Sequence, residues 1–159
     1  MCSSDLGSSP ARGRKLRVTD ALKDRLVSLA LGLPSWAVLG VALYLTPETK
    51  GFGTHQQLGL GGCTVLTLTG WPCPMCGMTT TFTHMAHLSP WMALKTQPFG
   101  VVLFLLTLAT ALLALTEGLR PRGRWRRLWA FVAEYENRIA LALLAGLAAG
   151  WIYKIVLMG

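Results

Sequence analysis

Long uncharged apolar stretches divide the chain, and the first runs LVSLALGLPSWAVLGVALYL from Leu26 to Leu45. It contains no Asp, Glu, Lys or Arg, and its length matches the roughly 20 helical residues that cross a hydrocarbon core of ~30 Å. We therefore predict a transmembrane helix over residues 26–45. Pro34 near its middle removes one hydrogen bond of the helix, so we expect a kink there.

Two later stretches have the same character and predict two more spans. The second span, over residues 98–116, begins at Pro98. Proline suits the first position of a helix because the N–H group that it lacks has no partner there. The third span covers residues 139–158. Both stretches have the length and the apolar composition of a membrane-crossing helix.

The third span carries a row of small residues and one charge. Ala142, Gly146 and Gly150 recur at every fourth position, a spacing that lets another helix approach closely. We expect this face to pack inside the helix bundle, and it also offers a contact for another membrane protein. Lys154 lies near the end of the span, and we expect its long side chain to reach the polar interface of the membrane.

The charges are distributed unevenly along the chain, whose formal net charge is +8. Six Lys and Arg residues lie in the segment 1–25 and six in the segment 117–138, whereas two lie in the segment 46–97. Cytoplasmic flanks of membrane proteins are enriched in Lys and Arg. The count therefore places the basic N-terminal segment and the basic loop 117–138 in the cytoplasm, and the segment 46–97 on the outer side. The lipid bilayer is the predicted partner. Nucleic acid is not predicted as a partner, because the sequence does not show the basic groove with interleaved aromatic residues that is typical of nucleic-acid binding.

The first six residues, MCSSDL, require separate treatment. In reverse translation, Cys2 to Leu6 correspond to the end of a common sequencing adapter. We interpret residues 1–6 as an assembly artefact and leave them out of the argument about the fold. Cys2 is then not counted among the thiols of the natural protein.

The segment between the first two spans is uncharged but rich in cysteine and histidine. From Gly51 to Leu94 it contains three cysteines, three histidines and no formal charge. An open strand edge cannot face lipid, so we predict a re-entrant or interfacial helical segment here and leave the number of further crossings open. The predicted fold is an all-α integral membrane protein with three transmembrane helices and this cysteine-bearing segment between the first two.

The stretch WPCPMCGMTTTF places Cys73 and Cys76 in a C-P-x-C arrangement. Pro74 suits the first position of a helix, so we predict Cys73 at the N-cap and Cys76 in the first helical turn. At such a position the helix dipole lowers the pKa of a thiol and favours the thiolate.

Three roles remain open for these thiols. The first is a disulfide, structural or exchangeable, because the outer side of a bacterial membrane is oxidising. In the exchangeable case Cys73 is the attacking sulfur and Cys76 the resolving one. The second is one bound Zn or Cu ion, with Cys63 or His55 as a further ligand. The third is simply to fold the outer part of the bundle.

The residues that follow the cysteine pair are assigned structural roles. On a continuous helix, His84 and His87 would lie ~12 and ~16 Å from Cys76, too far to share a zinc ion with it. His87 instead shares one helical face with Cys76, Thr80 and Thr83. We expect this face to form hydrogen bonds with neighbouring helices.

The cysteine motif resembles that of a protein family, the small bacterial membrane proteins grouped as domain of unknown function 2752. The resemblance covers about residues 63–115 and implies a multi-pass protein of the bacterial inner membrane, but it implies no activity. Thr80 stands where many members carry Arg, and Ser89-Pro90 replaces a frequent Gly-Asp, so no role of that Arg or Asp is carried over. The matching residues are Cys63, Thr69, Gly70, Pro72, Cys73, Pro74, Cys76, Gly77, Thr79, Thr80, Gln97 and Pro98.

The sequence favours a non-enzymatic function. Glu48 is the single carboxylate of the segment 46–97, so neither a carboxylate pair nor a Ser-His-Asp triad is available there. We predict an envelope component whose cysteine segment is folded by a disulfide or by one Zn or Cu ion. A membrane thiol-disulfide redox protein and a soft-metal binding protein are the alternatives.

Overall fold

A computed structural model of the chain describes residues 10–48, 51, 53–120 and 122–158, and the six residues interpreted as adapter-derived lie outside these ranges. Within them the chain is helical, without a strand, as the sequence predicted. The α-helices are α1 (Pro10–Tyr44), α2 (Thr64–Thr69), α3 (Met78–Ala86), α4 (Pro90–Thr96), α5 (Pro98–Leu119) and α6 (Arg124–Met158), and a short 3-10 helix covers Thr54–Leu58.

Three of these helices are long and apolar enough to cross a membrane, and they confirm the three predicted spans. The helical ranges that contain an apolar stretch of 18 residues are Asp20–Tyr44, Pro98–Leu119 and Arg124–Leu157. Large apolar side chains are exposed along all three, as expected for surfaces that contact lipid rather than water. The first helix continues through Pro34 without interruption.

The basic segment 117–138, expected as a loop, is mostly helical. Helix α5 continues to Leu119, and α6 begins at Arg124 and joins the third span through an irregular residue, Tyr135. The reversal between the helices is tight because the buried carboxylate of Glu117 accepts hydrogen bonds from three backbone N–H groups of the turn. Counting charges does not distinguish a loop from a helix extension, which is why the sequence missed this arrangement.

Helices α1 and α5 form an antiparallel pair at the centre of the fold. The backbones approach closely at Gly32, where an added Cβ would lie 2.8 Å from the Cβ of Ala114. Further along the pair, Leu39, Phe104 and Ala111 form the buried apolar core. The predicted small-residue row of α6 packs within the same chain, because Gly146 and Gly150 contact Phe99 of α5. At Gly146 an added Cβ would lie 2.7 Å from the ring, whereas Ala142 is exposed.

We call Gly51 and residues 53–97 the cap; it lies where α1 ends and α5 begins. Helices α3 and α4 form a hairpin whose turn contains Leu88 at φ 57°. The ring of Phe82 in α3 meets that of Phe104 edge to face, with the ring centroids 5.4 Å apart. The longest described helix of the cap has nine residues, or about 13 Å, so none of its helices crosses a ~30 Å core alone. The cap is thus the helical segment that the sequence predicted between the first two spans.

Candidate metal centre

Two separate arms of the cap bring three cysteines together. Cys63 precedes α2, and Cys73 and Cys76 lie in the turn between α2 and α3. The Sγ atoms of all three lie within 4.8 Å of one another. They line a cavity of about 210 Å³ whose wall also includes His55, Met75 and Thr80 among other residues. Of the two further ligands that the sequence suggested, Cys63 is the one that joins the pair.

The cysteine pair does not lie at a helix N-terminus, so the prediction of Cys73 as an N-cap is wrong. The N–H of Cys76 donates to the carbonyl of Cys73 at 2.9 Å, which closes a turn. Gly77 follows with φ 89° and is itself the residue that caps α3. Because this left-handed conformation cannot be part of a helix, α3 begins only at Met78. Pro74 therefore starts a turn instead of a helix.

The three thiols have different pKa values because their surroundings differ. Burial is the main factor that raises the pKa of Cys76 to about 11, and the neighbouring thiols add to the effect. Burial also raises the pKa of Cys73. The pKa of Cys63 is lowered, chiefly because the backbone N–H of Leu66 in α2 stabilises the thiolate. The lowered thiol pKa that was predicted for Cys73 at a helix N-terminus is therefore found at Cys63, directly before α2, and not at Cys73.

Hydrogen bonds from other helices fix the position of the cysteine turn. Gln97 is fully buried, and its Nε2 donates to the carbonyl of Pro74 at 3.0 Å. The indole N–H of Trp151 in α6 donates to the carbonyl of Pro72 at 2.8 Å. Pro98 occupies the first turn of α5 directly after Gln97. These contacts hold the residues on both sides of Cys73, and the sequence motif included Gln97 and the prolines but not Trp151.

Of the face predicted to bond to neighbouring helices, Thr80 and His87 make such contacts, whereas Thr83 bonds within its own helix and Cys76 lies outside that helix. Thr80 is buried and bonds to the hydroxyl of Thr54 in the 3-10 helix at 2.8 Å. His87 donates from Nε2 to the carbonyl of Leu45 at 3.0 Å. Thr83 donates to a carbonyl of its own helix. This face therefore joins the hairpin to its neighbours.

The remaining motif residues lie around the cavity or in the turn that leads to it. Thr79 lines the cavity. Thr69 ends α2, and its hydroxyl donates to the carbonyl of Val65. Gly70 follows at φ 72° and turns the chain towards the cysteine pair. His55 also lines the cavity, and its Nε2 is 3.2 Å from the carbonyl of Gly61.

Lys154 of α6 points into the cap, so the expectation that it reaches the polar interface is wrong. Its side chain is 5% exposed, and its ammonium group donates to the carbonyls of Gly51 at 3.1 Å and Thr96 at 3.4 Å. An added Cβ on Gly77 would lie 3.2 Å from the Nζ atom, which shows how close the amine is to the cysteine turn. The signal in the sequence that could have indicated this burial was a single charge inside an apolar span.

The donor set suits a soft metal ion. Thiolates are preferred ligands of Cu(I) and Zn, whereas Mg and Ca prefer oxygen ligands. Two thiolates bound to one zinc ion at 2.3 Å lie about 3.8 Å apart in tetrahedral geometry. The observed separations of up to 4.8 Å differ from this value by only about 1 Å, which small side-chain rotations can close. Cys63, Cys73 and Cys76 therefore have the chemistry and the arrangement to hold such an ion.

Comparison with known proteins identifies the part of the chain that carries the cysteines. No curated protein and no solved structure matches the chain. The match to a family covers the three cysteines, the helical hairpin and the first part of α5. Residues 63–111 match the model of the family described as Protein of unknown function (DUF2752), the family that the cysteine motif indicated.

Proposed function

We propose that the protein is a non-enzymatic component of a bacterial envelope whose cap is folded by one soft metal ion. Cys63, Cys73 and Cys76 supply the thiolate ligands, and the ion is Zn or Cu(I). The observation that carries the proposal is the convergence of three sulfur atoms from two arms within 4.8 Å. A disulfide joins two sulfurs and leaves the third unused, whereas a metal ion uses all three.

Metal binding would provide what the cap lacks by itself. Its helices are short, and many of its large apolar side chains are exposed, so few buried contacts hold the arm with Cys63 against the arm with Cys73. A metal bound by residues far apart in the sequence stabilises the folded arrangement because the unfolded chain does not offer the same site. The expected role of the ion is to fasten the two arms together.

The test is metal analysis combined with counting of reactive thiols. The protein is prepared in mild detergent without reductant, in a Cys2→Ser background that removes the adapter-derived thiol. We expect about one Zn or Cu per chain and three cysteines that resist alkylation until a chelator is added. The Cys73→Ser/Cys76→Ser variant should lose the metal, and the variant Ser89→Ala, whose hydroxyl lies outside the cavity, should keep it.

The thiol-disulfide alternative predicts a different result in the same experiment. Cys73 is partly exposed and Cys76 is 6% exposed, as an attacking and a resolving sulfur would be, but the raised pKa of Cys73 counts against its attack as a thiolate. The absence of bound metal, together with two sulfurs that react only after reduction, would overturn the metal proposal and establish a disulfide. Capture of a second thiol by the Cys76→Ser variant would then identify exchange rather than a structural disulfide.

We also propose that the protein lies in the inner membrane with the N-terminus in the cytoplasm and the cap on the outer side. The basic turn between α5 and α6 supports this orientation, since it lies at the opposite end of the helices from the cap and is followed by the exposed Arg126 in the first turn of α6. With three crossings, the chain would end on the outer side. Alkaline phosphatase fused after residue 159 should be active. Fluorescence of green fluorescent protein fused at the same position would instead indicate the opposite orientation.

A further inference from the structure

Lys154 is a buried cation without a carboxylate partner among the described residues. Its ammonium group contacts two backbone carbonyls, those of Gly51 and Thr96, and no described Asp or Glu lies within ion-pair distance of it. Two carbonyls satisfy hydrogen bonds but carry no net negative charge. Burial of a charged group is costly unless an opposite charge lies nearby.

The surroundings of Lys154 offer one kind of group that can become negative. Residues 51–97 contain no Asp, Glu or Tyr, so the cysteine thiols are the acidic side chains of the cap. The turn of Cys73 and Cys76 lies next to the amine of Lys154. Gly77, directly after Cys76, is so close that an added Cβ would lie 3.2 Å from the Nζ atom. The natural counter-charge for Lys154 is therefore the cysteine cluster in its thiolate form.

The charge balance distinguishes a metal-bound cluster from an oxidised one. Three thiolates carry a charge of about −3, so with Zn²⁺ the centre has a net charge of about −1 and with Cu⁺ about −2. One ammonium group neutralises the net charge of the zinc centre and halves the net charge of the copper centre. A disulfide with a protonated third thiol is uncharged and leaves the buried lysine without compensation.

We propose that Lys154 is the counter-charge of the cysteine centre, a positioning residue that stabilises the metal-bound thiolates and couples metal binding to the docking of α6 on the cap. This inference rests on the proposed metal function. Two further contacts support the coupling: the Trp151 indole donates to the Pro72 carbonyl, and the Tyr153 hydroxyl donates to the Lys95 carbonyl. All three side chains lie near the end of α6, and all three donate to the backbone of the cap.

The variant that isolates the charge is Lys154→Gln, because a glutamine amide can still donate a hydrogen bond but carries no charge. Lys154→Arg keeps the charge. The matched control is Lys95→Gln, since Lys95 belongs to the cap but is exposed and lies over the Trp91 ring. Metal affinity is measured by competition with a chromophoric chelator, first with zinc and then with Cu(I), on detergent-solubilised full-length protein.

We expect Lys154→Gln to weaken metal binding by about 10- to 100-fold, the effect typical of groups that support metal ligands. Lys154→Arg should stay within about tenfold of the unmodified protein, and Lys95→Gln should be unchanged. Resistance to unfolding by SDS is measured on the same variants with and without metal. Without metal, Lys154→Gln should be at least as stable as the unmodified protein, because it no longer buries an uncompensated charge.

The possible failures can be distinguished. If the unmodified protein and Lys95→Gln bind no metal, the proposed function is wrong and the inference falls with it. If both bind metal and Lys154→Gln binds it equally well, only the inference is overturned. A Lys154→Gln variant that loses the same stability with and without metal would show that Lys154 serves only the packing of α6, which also overturns the inference.

Discussion

Gly77→Ala is the substitution that tests most directly how the cap is packed around the cysteine turn. Gly77 has φ 89°, a conformation that costs an alanine about 1–2 kcal/mol. The space is also filled: an added Cβ would lie 2.8 Å from the carbonyl oxygen of Gly51 and 3.3 Å from Cγ2 of Thr96. The backbone oxygen cannot move without displacing the chain that binds Lys154.

The expected loss of stability has two separable parts. The positive φ contributes about 1–2 kcal/mol, and overpacking against neighbouring atoms adds about 1–3 kcal/mol. The Gly77→Ala variant should therefore lose about 2–5 kcal/mol in total. Gly70→Ala is the matched control, because Gly70 has a similar φ of 72° but no atom lies within 4 Å of its added Cβ. It should lose only the first part.

The assay is SDS-induced unfolding in mild detergent with a chelator present, followed by circular dichroism. The chelator removes any contribution from bound metal, so the two variants are compared on packing alone. The prediction is a difference of at least about 1 kcal/mol between Gly77→Ala and Gly70→Ala. Equal losses in the two variants would refute the close approach of Gly51 to the cysteine turn.

Three further predictions follow from individual groups. In reduced, metal-free protein, Cys63 should be alkylated fastest and Cys76 slowest, since the thiolate is the reacting form and burial raises the pKa of Cys76 to about 11. The rate at Cys76 should rise about tenfold per pH unit up to that pKa, and equal rates at pH 8, measured by mass spectrometry, would contradict the assignment. Glu117→Ala should lower the free energy of unfolding in SDS by about 1.5–3 kcal/mol because three backbone N–H groups lose their acceptor, whereas the exposed Glu134→Ala should have little effect. Gly146→Ala should destabilise the protein by about 1–3 kcal/mol in the same assay, because its Cβ would overlap a phenylalanine ring of α5; an unchanged stability would argue against this contact.

The sequence predicted the membrane-crossing helices because that property is local. Length and apolar composition decide whether a helix crosses a bilayer, and both can be read within a window of about 20 residues. The structure confirms all three spans and the helical cysteine segment between the first two. The motif around Cys73 and Cys76 likewise indicated the family whose model matches residues 63–111, since the order and the spacing of its residues are properties of the sequence alone.

Helix boundaries next to tight turns were harder to predict. Pro74 can begin either a helix or a turn, and Gly77 decides between them because its left-handed conformation places the start of α3 at Met78. The expected basic loop likewise becomes a short turn because the buried carboxylate of Glu117 accepts the N–H groups at the start of α6. In both cases a residue a few positions away along the chain determines where the helix begins, so the residue at the expected boundary does not show it by itself.

The composition of the candidate site was determined by the sequence, whereas its assembly was decided by the tertiary structure. The sequence supplied three thiols, an uncharged cap and one lysine in the third span. Folding brings Cys63 from one arm to the pair on the other, and it directs Lys154 from the end of α6 towards the same turn. Lys154 and Cys76 are 78 positions apart in the sequence, so they come close only when the helices pack. Their proximity matters because burial of an unpaired charge is costly.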